Sequence, residues 1–340
     1  VPPLFRERLA ALDVKRNPLL AGADVTFFVA ESPSQDLSDD LVGTIAAWGD
    51  PAGKIAWFGA LEAVNRPEVV AALLEAAETW AQEHLPAVRV LRGPACLDVR
   101  DPPGLLVDGF DRKSMAHLPY NSPYLPDLVE EAGFSQRPER WLTWELALSG
   151  IAAGHPAERP PGIIIRPANA SDWPAEQERL AGVYDAAGAG VERTSAFPSG
   201  GSVRKDTSAW RIEPELVFFA EADAGIVGAI FALPDLSPAL RLANGRWIPA
   251  GWLAARLGRR WLRRLQVFPP AVLPQRRSQG IEAEFCRAAA SAGAYLGFRQ
   301  AVYGPARATE TEPLEALRVW GAQKAQAFGW YEKALGFDQW

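Results

Sequence analysis

The sequence predicts an α/β (α+β) chain made of two tandem copies of one domain, each a mixed, mostly antiparallel β-sheet flanked by helices. Three observations carry this: a repeated order of apolar strands and amphipathic helices, a conserved spacing between the two copies, and a Gly/Pro-rich break between them. In the first copy VTFFVAE at 25–31 and LVGTIAAW at 41–48 read as two strands around a polar turn; LVFFAEA at 216–222 and GIVGAIFAL at 225–233 repeat them. Gly43 and Gly228 fall at the same place in the second strand. A third strand follows, IAWFGALEAV at 55–64 or LQVFPPAVL at 265–273, then a helix at 67–85 or 280–296, then VRVLRGP at 88–94 or FRQAVYGP at 298–305. The intervals Phe58 to Gly93 and Phe268 to Gly304 differ by one residue, which makes the repeat more than compositional. Each copy closes with a helix ending in glycine and an aromatic strand, YLPDLVEEAGF with RWLTWELAL, and PLEALRVWGA with QAFGWYEKAL. Short connections between such elements give a mixed sheet with packed helices, and an exchange of a strand between the copies is open at this level.

The expected domains are 1–150 and 163–340, joined near 149–162 by SGIAAGHPAERPPG, after which IIIRPANASDW reads as a strand entering a capped helix. The second copy carries an insertion at 234–264. Within it Leu253, Leu257, Trp261 and Leu265 recur every four residues and predict one apolar helical face, with Arg256, Arg259, Arg260, Arg263 and Arg264 beside it. Such arginines read first as a solvated helix face, and second as a contact for anionic lipid, a partner or a phosphate.

Composition bounds the function. A chain of 340 residues with 48% hydrophobic and 22% charged residues can bury a core in each half. No apolar run reaches the roughly 20 residues of a membrane span, and residues 1–10 are charged where a leader peptide needs an apolar centre. The expectation is therefore a cytoplasmic protein without a transmembrane segment. Cys96 and Cys286 are the two cysteines and form no metal-ligand pattern, so no metal is expected. A net charge of −6 argues against general nucleic-acid binding. Serine-nucleophile elbows, HExxH, GxxxxGK[ST] and dinucleotide fingerprints are absent, which weakens hydrolase, metalloprotease, NTPase and dehydrogenase readings.

At VLPQRRSQGIEAEF, 272–285, the sequence resembles the acyl-CoA diphosphate loop of the GNAT (N-acetyltransferase) superfamily, whose pattern Arg/Gln-x-x-Gly-x-Gly/Ala lies between strand and helix. Arg277, Ser278, Gln279, Gly280, Ile281 and Glu282 occupy it. Backbone N–H groups of such a turn and of the following helix form an anion nest, and glycine lets a diphosphate approach. The whole chain is also similar to uncharacterised bacterial tandem GNAT-like proteins, through VPPL, RNPLL, RGPACLDVRDPPGLLVDGFD, PYNSPYLPDLVEEAGF, LPDLSPAL and LPQRRSQGIEA. The resemblance implies acetyl-CoA or another acyl-CoA as acyl donor, held by Val272, Arg276, Arg277, Ser278, Gln279, Gly280, Ile281 and Ala283, and transfer to an unidentified small-molecule or protein amine.

Departures from the family pattern are equally specific. The first copy has VNRPEVV at 64–70 in place of the loop, with no glycine and with Pro67 at the helix start, so no CoA is expected there. In the second copy the last small residue is Glu282. Its charge suits a helix N-terminus by about 0.3–1 kcal/mol, yet about 6 Å from a diphosphate it would be repelled by roughly 3 kcal/mol at an effective dielectric of about 20. The tyrosine that family enzymes place four residues before the late-helix glycine is Val129 before Gly133 and Leu317 before Gly321. Tyr303 and Tyr331 are substitute candidates for protonating a thiolate, with core packing as the alternative for each. Asp108, Asp111, His117, Tyr120, Asn121 and Tyr124, in 105–124, form a candidate substrate groove facing the other copy; turn and helix-entry roles are the alternative. His84 and His155 carry no expected chemistry. Two functions stand: an acyl-CoA-dependent N-acyltransferase, or a non-catalytic GNAT-like module that binds a small molecule or protein between the copies.

Overall fold

The computed structural model describes residues 12–15, 17, 20, 22–32, 41–95, 104–115, 118–150, 161–188, 212–242, 262–309 and 311–336. The first copy runs β1 (Asp24–Glu31), β2 (Leu41–Gly49), β3 (Ile55–Ala63), α1 (Pro67–His84), β4 (Val90–Gly93), β5 (Leu105–Asp108), α2 (Leu125–Glu131) and β6 (Ser135–Ala147). The second runs β7 (Ile164–Pro167), α3 (Trp173–Gly188), β8 (Val217–Ala222), β9 (Gly225–Pro234), α4 (Ser237–Leu242), β10 (Arg264–Val267), β11 (Ala271–Val272), α5 (Ile281–Tyr295), β12 (Gln300–Arg307), α6 (Thr311–Val319) and β13 (Gln323–Ala334). α1 shows how the pattern becomes structure. Pro67 sits in its first turn, where a missing N–H is tolerated, and Val69, Val70, Leu73, Leu74, Ala77, Trp80 and Ala81 make one buried stripe.

The thirteen strands of the described residues form one sheet, in the order β1-β2-β3-β4-β13-β6-β12-β10-β9-β8-β7, with β11 beside β9 and β5 beside β13. The copies have exchanged their last strands. β13 lies against β4, with Tyr331 opposite Gly93, and β6 lies against β12, with Trp144 opposite Tyr303. β13 and β6 pair with each other in the centre, Phe328 opposite Trp141. The β3–β4 and β10–β12 pairs are both parallel, as the repeat requires. The expected division at 149–162 lies mostly outside the described residues, and the sheet runs across it.

One face of the sheet carries α1 and α2 in the first half, and α5 and α6 in the second. Leu73, Leu128, Phe58 and Tyr331 share the first core; Phe285, Leu317, Leu265 and Trp144 share the second. The other face carries α3, whose Leu180 and Tyr184 pack on Phe231 and Phe268. Near the middle of that face, Met115 and Leu118 cover Trp141, Val302, Phe328 and Trp330.

One expectation about the insertion, and one about the strand that follows it, need correction. Leu265 and Arg264 belong to β10, not to a helix: Leu265 is fully buried between Pro234 and Ala301. The LQVF run has the apolar content of a central strand, and pairing on both sides overrides the four-residue spacing. Residues 243–261, with Leu253, Leu257, Trp261, Arg256, Arg259 and Arg260, lie outside the described residues. The expected strand 265–273 is also broken. Pro269 and Pro270 have no N–H to donate to a ladder, so the chain divides there into β10 and β11.

Candidate functional site

The break at Pro269–Pro270 opens the sheet. β10 and β12 stay paired through Val267 and Tyr303. Beyond that rung the first chain turns to β9, through Phe268 N–H to Phe231 O (3.1 Å), Ala271 and Val272 against β9, and Leu273 N–H to Val227 O (2.9 Å). β12 instead follows β6, with Ala306 opposite Leu142 and Arg307 opposite Trp141. A groove between parted parallel strands results, and the expected diphosphate loop lies at its outer end.

In that loop Gly280 is the N-cap of α5 and has φ 81°, a left-handed conformation that glycine adopts without strain. Ser278, exposed, is also left-handed at φ 58°. Ile281 and Phe285, both fully buried, anchor the helix under the loop. The first-turn N–H groups of such a helix have no intrahelical acceptors, and no side chain caps them at Gly280. Arg277 does not reach outward: its guanidinium donates to Val272 O (3.2 Å) and to Ala187 O (2.8 Å), tying the loop to the last turn of α3. Gln279 Nε2 donates to Gln275 O at 3.4 Å. Ala283 and Arg276 are half-buried, and Val272 is buried in β11. Glu282 is half-buried and lies near Cys286, one turn along. Burial first, and the Glu282 charge second, push the Cys286 thiol well up.

The corresponding groove of the first copy is closed. Ala95 N–H donates to Phe58 O (2.7 Å) across the parting strands. Farther out, the Asn121 side chain takes both backbone groups of Leu106 on β5, accepting its N–H at 2.7 Å and donating to its C=O at 3.2 Å. The Tyr124 hydroxyl donates to Ala63 O at the end of β3 (2.8 Å). Residues 121–124 thus span the gap that an extended ligand would fill. The second copy has no such segment, because α6 begins at Thr311 directly after β12 ends at Arg307.

The remaining groove candidates separate. Asp108 is ion-paired with Lys324 of β13 (2.8 Å), and the hydrogen bond from Lys324 holds its carboxyl below the usual range. Asp111 is 3.8 Å from Arg112, Tyr120 is 56% exposed, and His117 lies outside the described residues. The 109–115 stretch does face the second half: Lys113 O accepts from Arg264 (3.3 Å), which also holds Glu145 (3.0 Å). Tyr303 is buried at the groove root. Tyr331, through the strand exchange, sits in the core of the first half, where burial and the Glu130 carboxylate raise its phenol. Val129 and Leu317 are buried core residues. Gln266 is a buried glutamine in the otherwise apolar strand β10, one rung before the strands part, and the sequence reading did not single it out.

Among the described residues no cluster of three or more His, Cys, Asp or Glu is placed to hold a metal, and no helix is long and apolar enough to cross a membrane. A separate cavity of about 450 Å³ lies between β1 and α1, lined by Phe28, Ala30, Val42, Val69 and Leu73. It is on the far side of the first half, away from the groove.

This double, strand-exchanged sheet with a glycine loop after its parted strand is the fold of a tandem GNAT protein. A solved tandem GNAT protein from the clavulanic acid biosynthesis pathway superposes with a TM-score of 0.54, covering 94% of this chain and 85% of that one at 12% identity. In sequence the chain is 27% identical over 270 residues to a bacterial ceramide synthase of Caulobacter vibrioides, 74% of this chain and 67% of that protein. It is 26% identical over 266 residues to protein YghO of Escherichia coli, 74% of this chain and 65% of that protein. The chain therefore matches about two thirds of the length of these curated relatives. No protein-family model matches it.

Proposed function

We propose that the chain is an acyl-CoA-dependent N-acyltransferase in which the second half holds the acyl donor and the first half helps to shape the acceptor site. The observation that carries this reading is the contrast between the grooves. In the second half no described backbone hydrogen bond joins β10 and β12 beyond Val267 and Tyr303, and the parted strand leads to the left-handed Gly280 and the N-terminus of α5; in the first half Asn121 and Tyr124 bond across the corresponding strands. The donor's diphosphate fits the N–H groups from Ser278 to Ala283, with Val272 and Gly280 flanking it, Arg276 beside the mouth and Arg277 holding the loop in shape. Bound acyl-CoA supplies an acyl carbon activated by a thiolate leaving group. The residues at the groove root then have to admit a neutral amine and exclude water. Of the two tyrosine candidates, Tyr303 lies at that root, whereas Tyr331 lies in the other half. The ceramide synthase relative suggests a long-chain amino alcohol as acceptor and a long acyl chain on the donor.

A non-catalytic binding module is the second reading, favoured by the buried Val129 and Leu317 where a proton donor would stand. Calorimetric titration with palmitoyl-CoA, followed by mass spectrometry after adding sphinganine, tests both. One molecule bound per chain and an N-acyl product support the transferase. No binding by the parent or by Glu282→Gly favours the module.

A further inference from the structure

The two halves differ at their outer edges. In the second half β7 covers the edge of β8, with Ile165 opposite Ala220, and Ile165 packs with Ile163 on the core that α5 covers. β1 is the counterpart of β8. Ala30 lies opposite Gly43 on β2 as Ala220 lies opposite Gly228 on β9, and Phe28 and Ala30 turn toward α1 as Phe218 and Ala220 turn toward α5. Among the described residues no strand pairs with the outer edge of β1. The cavity of about 450 Å³ between β1 and α1, walled by Phe28, Ala30, Val42, Val69 and Leu73, thus stands where Ile165 stands in the second half. On the opposite face of β1, Phe27 is 45% exposed and Val29 60%. An eight-residue edge strand with apolar residues on both faces, and with neither Lys nor Pro to blunt it, is a template for another strand.

We propose that this edge is a two-fold dimer interface, in which β1 pairs antiparallel with β1 of a second copy of the chain. The proposal is independent of the transferase reading. The other free edge, β7, has four residues and ends at Pro167, and a β1-on-β7 contact would be head-to-tail and propagate instead of closing. Self-pairing also fixes its own register. A two-fold axis normal to the sheet keeps both α1 helices on one face, so residues opposite each other must share a face and the axis must pass through a residue. Centring on Phe27 would put the partner's Asp24 opposite Ala30, a carboxylate in an apolar cavity. Centring on Val29 would set Phe27 against the partner's Glu31. Centring on Phe28 sets Val29 against the partner's Phe27, which covers the exposed residues of the outer face, and sets the partner's Thr26 opposite Ala30. The partner's Thr26 and Phe28 then fill the place that Ile165 takes in the second half, and Asp24 falls opposite the partner's Ser32 instead of another carboxylate.

Sedimentation equilibrium over a concentration series should give a dimer for the parent. Val29→Lys, which sets an ammonium group against the partner's Phe27, should weaken that dimer about tenfold or more and leave the circular dichroism spectrum unchanged. Cross-linking reads the register. In a Cys96→Ser chain, whose Cys286 is buried, Phe28→Cys lies on the axis and should give a disulfide-linked dimer on mild oxidation. Ala30→Cys, roughly 13 Å from its mate along the strands, should not. A monomeric parent would overturn the proposal, whether the β1 amides exchange freely with solvent or are protected by the chain's own residues. A dimer untouched by Val29→Lys would move the interface to another surface and overturn it equally. So would a disulfide through Ala30→Cys without one through Phe28→Cys, or an open-ended series of oligomers, the sign of β1 pairing with β7.

Discussion

At the scale of single residues, adjacent positions of the α5 loop should respond with opposite sign. Gly280→Asp puts a side chain on a left-handed backbone and a negative charge in the nest, and should abolish palmitoyl-CoA binding in calorimetric titration. Glu282→Gly removes the roughly 3 kcal/mol repulsion estimated for a carboxylate about 6 Å from a diphosphate, and should tighten binding by up to about 100-fold. Two molecules bound per chain, or tight binding that survives Gly280→Asp, would remove this loop from the site. Cys286 offers an independent check of the packing beneath it. Burial and the Glu282 charge both disfavour its thiolate, so in a Cys96→Ser chain it should resist alkylation at pH 8 until the protein is unfolded.

Among elements, the segment between β5 and α2 is the most informative. Asn121 replaces a strand neighbour for Leu106, so Asn121→Ala should leave a buried N–H and C=O unmet. We expect a loss of about 1–3 kcal/mol in urea denaturation, with palmitoyl-CoA stoichiometry unchanged because the proposed donor groove is in the other half. A second molecule bound per chain in this variant would show that the first groove is plugged rather than degenerate. The Pro269–Pro270 break is the complementary device. Replacing both prolines by valine restores two N–H donors, favours a continuous β10–β11 strand, and should weaken palmitoyl-CoA binding without lowering stability.

On the scale of the whole molecule, the exchange of β6 and β13 makes each half depend on the other. The first core lacks Tyr331 without β13, and Arg92, Arg137 and Glu78 lose their ion-pair partners Glu332 and Lys333. Residues 1–150 expressed alone should therefore fail to give a cooperative unfolding transition, while 1–150 co-expressed with 161–340 should assemble into a folded complex. A folded, monomeric 1–150 by circular dichroism and sedimentation would contradict the exchange.

The sequence by itself determined the repeat, nearly every strand and helix of both copies, and the loop at 272–283, because these rest on local periodicity and on glycine and proline chemistry within a few residues. It also carried the absence of a glycine from 64–70. Tertiary structure decided which strands are neighbours: the aromatic runs 141–147 and 325–331 suit a central strand in either copy, and only sheet pairing could choose between them. That choice placed Tyr331 away from the groove. It likewise took Leu265 from an apparent helical stripe into β10, since an apolar residue fits both periods until its partners are known. Asn121 and Tyr124 read as turn and helix-entry residues, and their hydrogen bonds across the first groove depend on atoms distant in sequence.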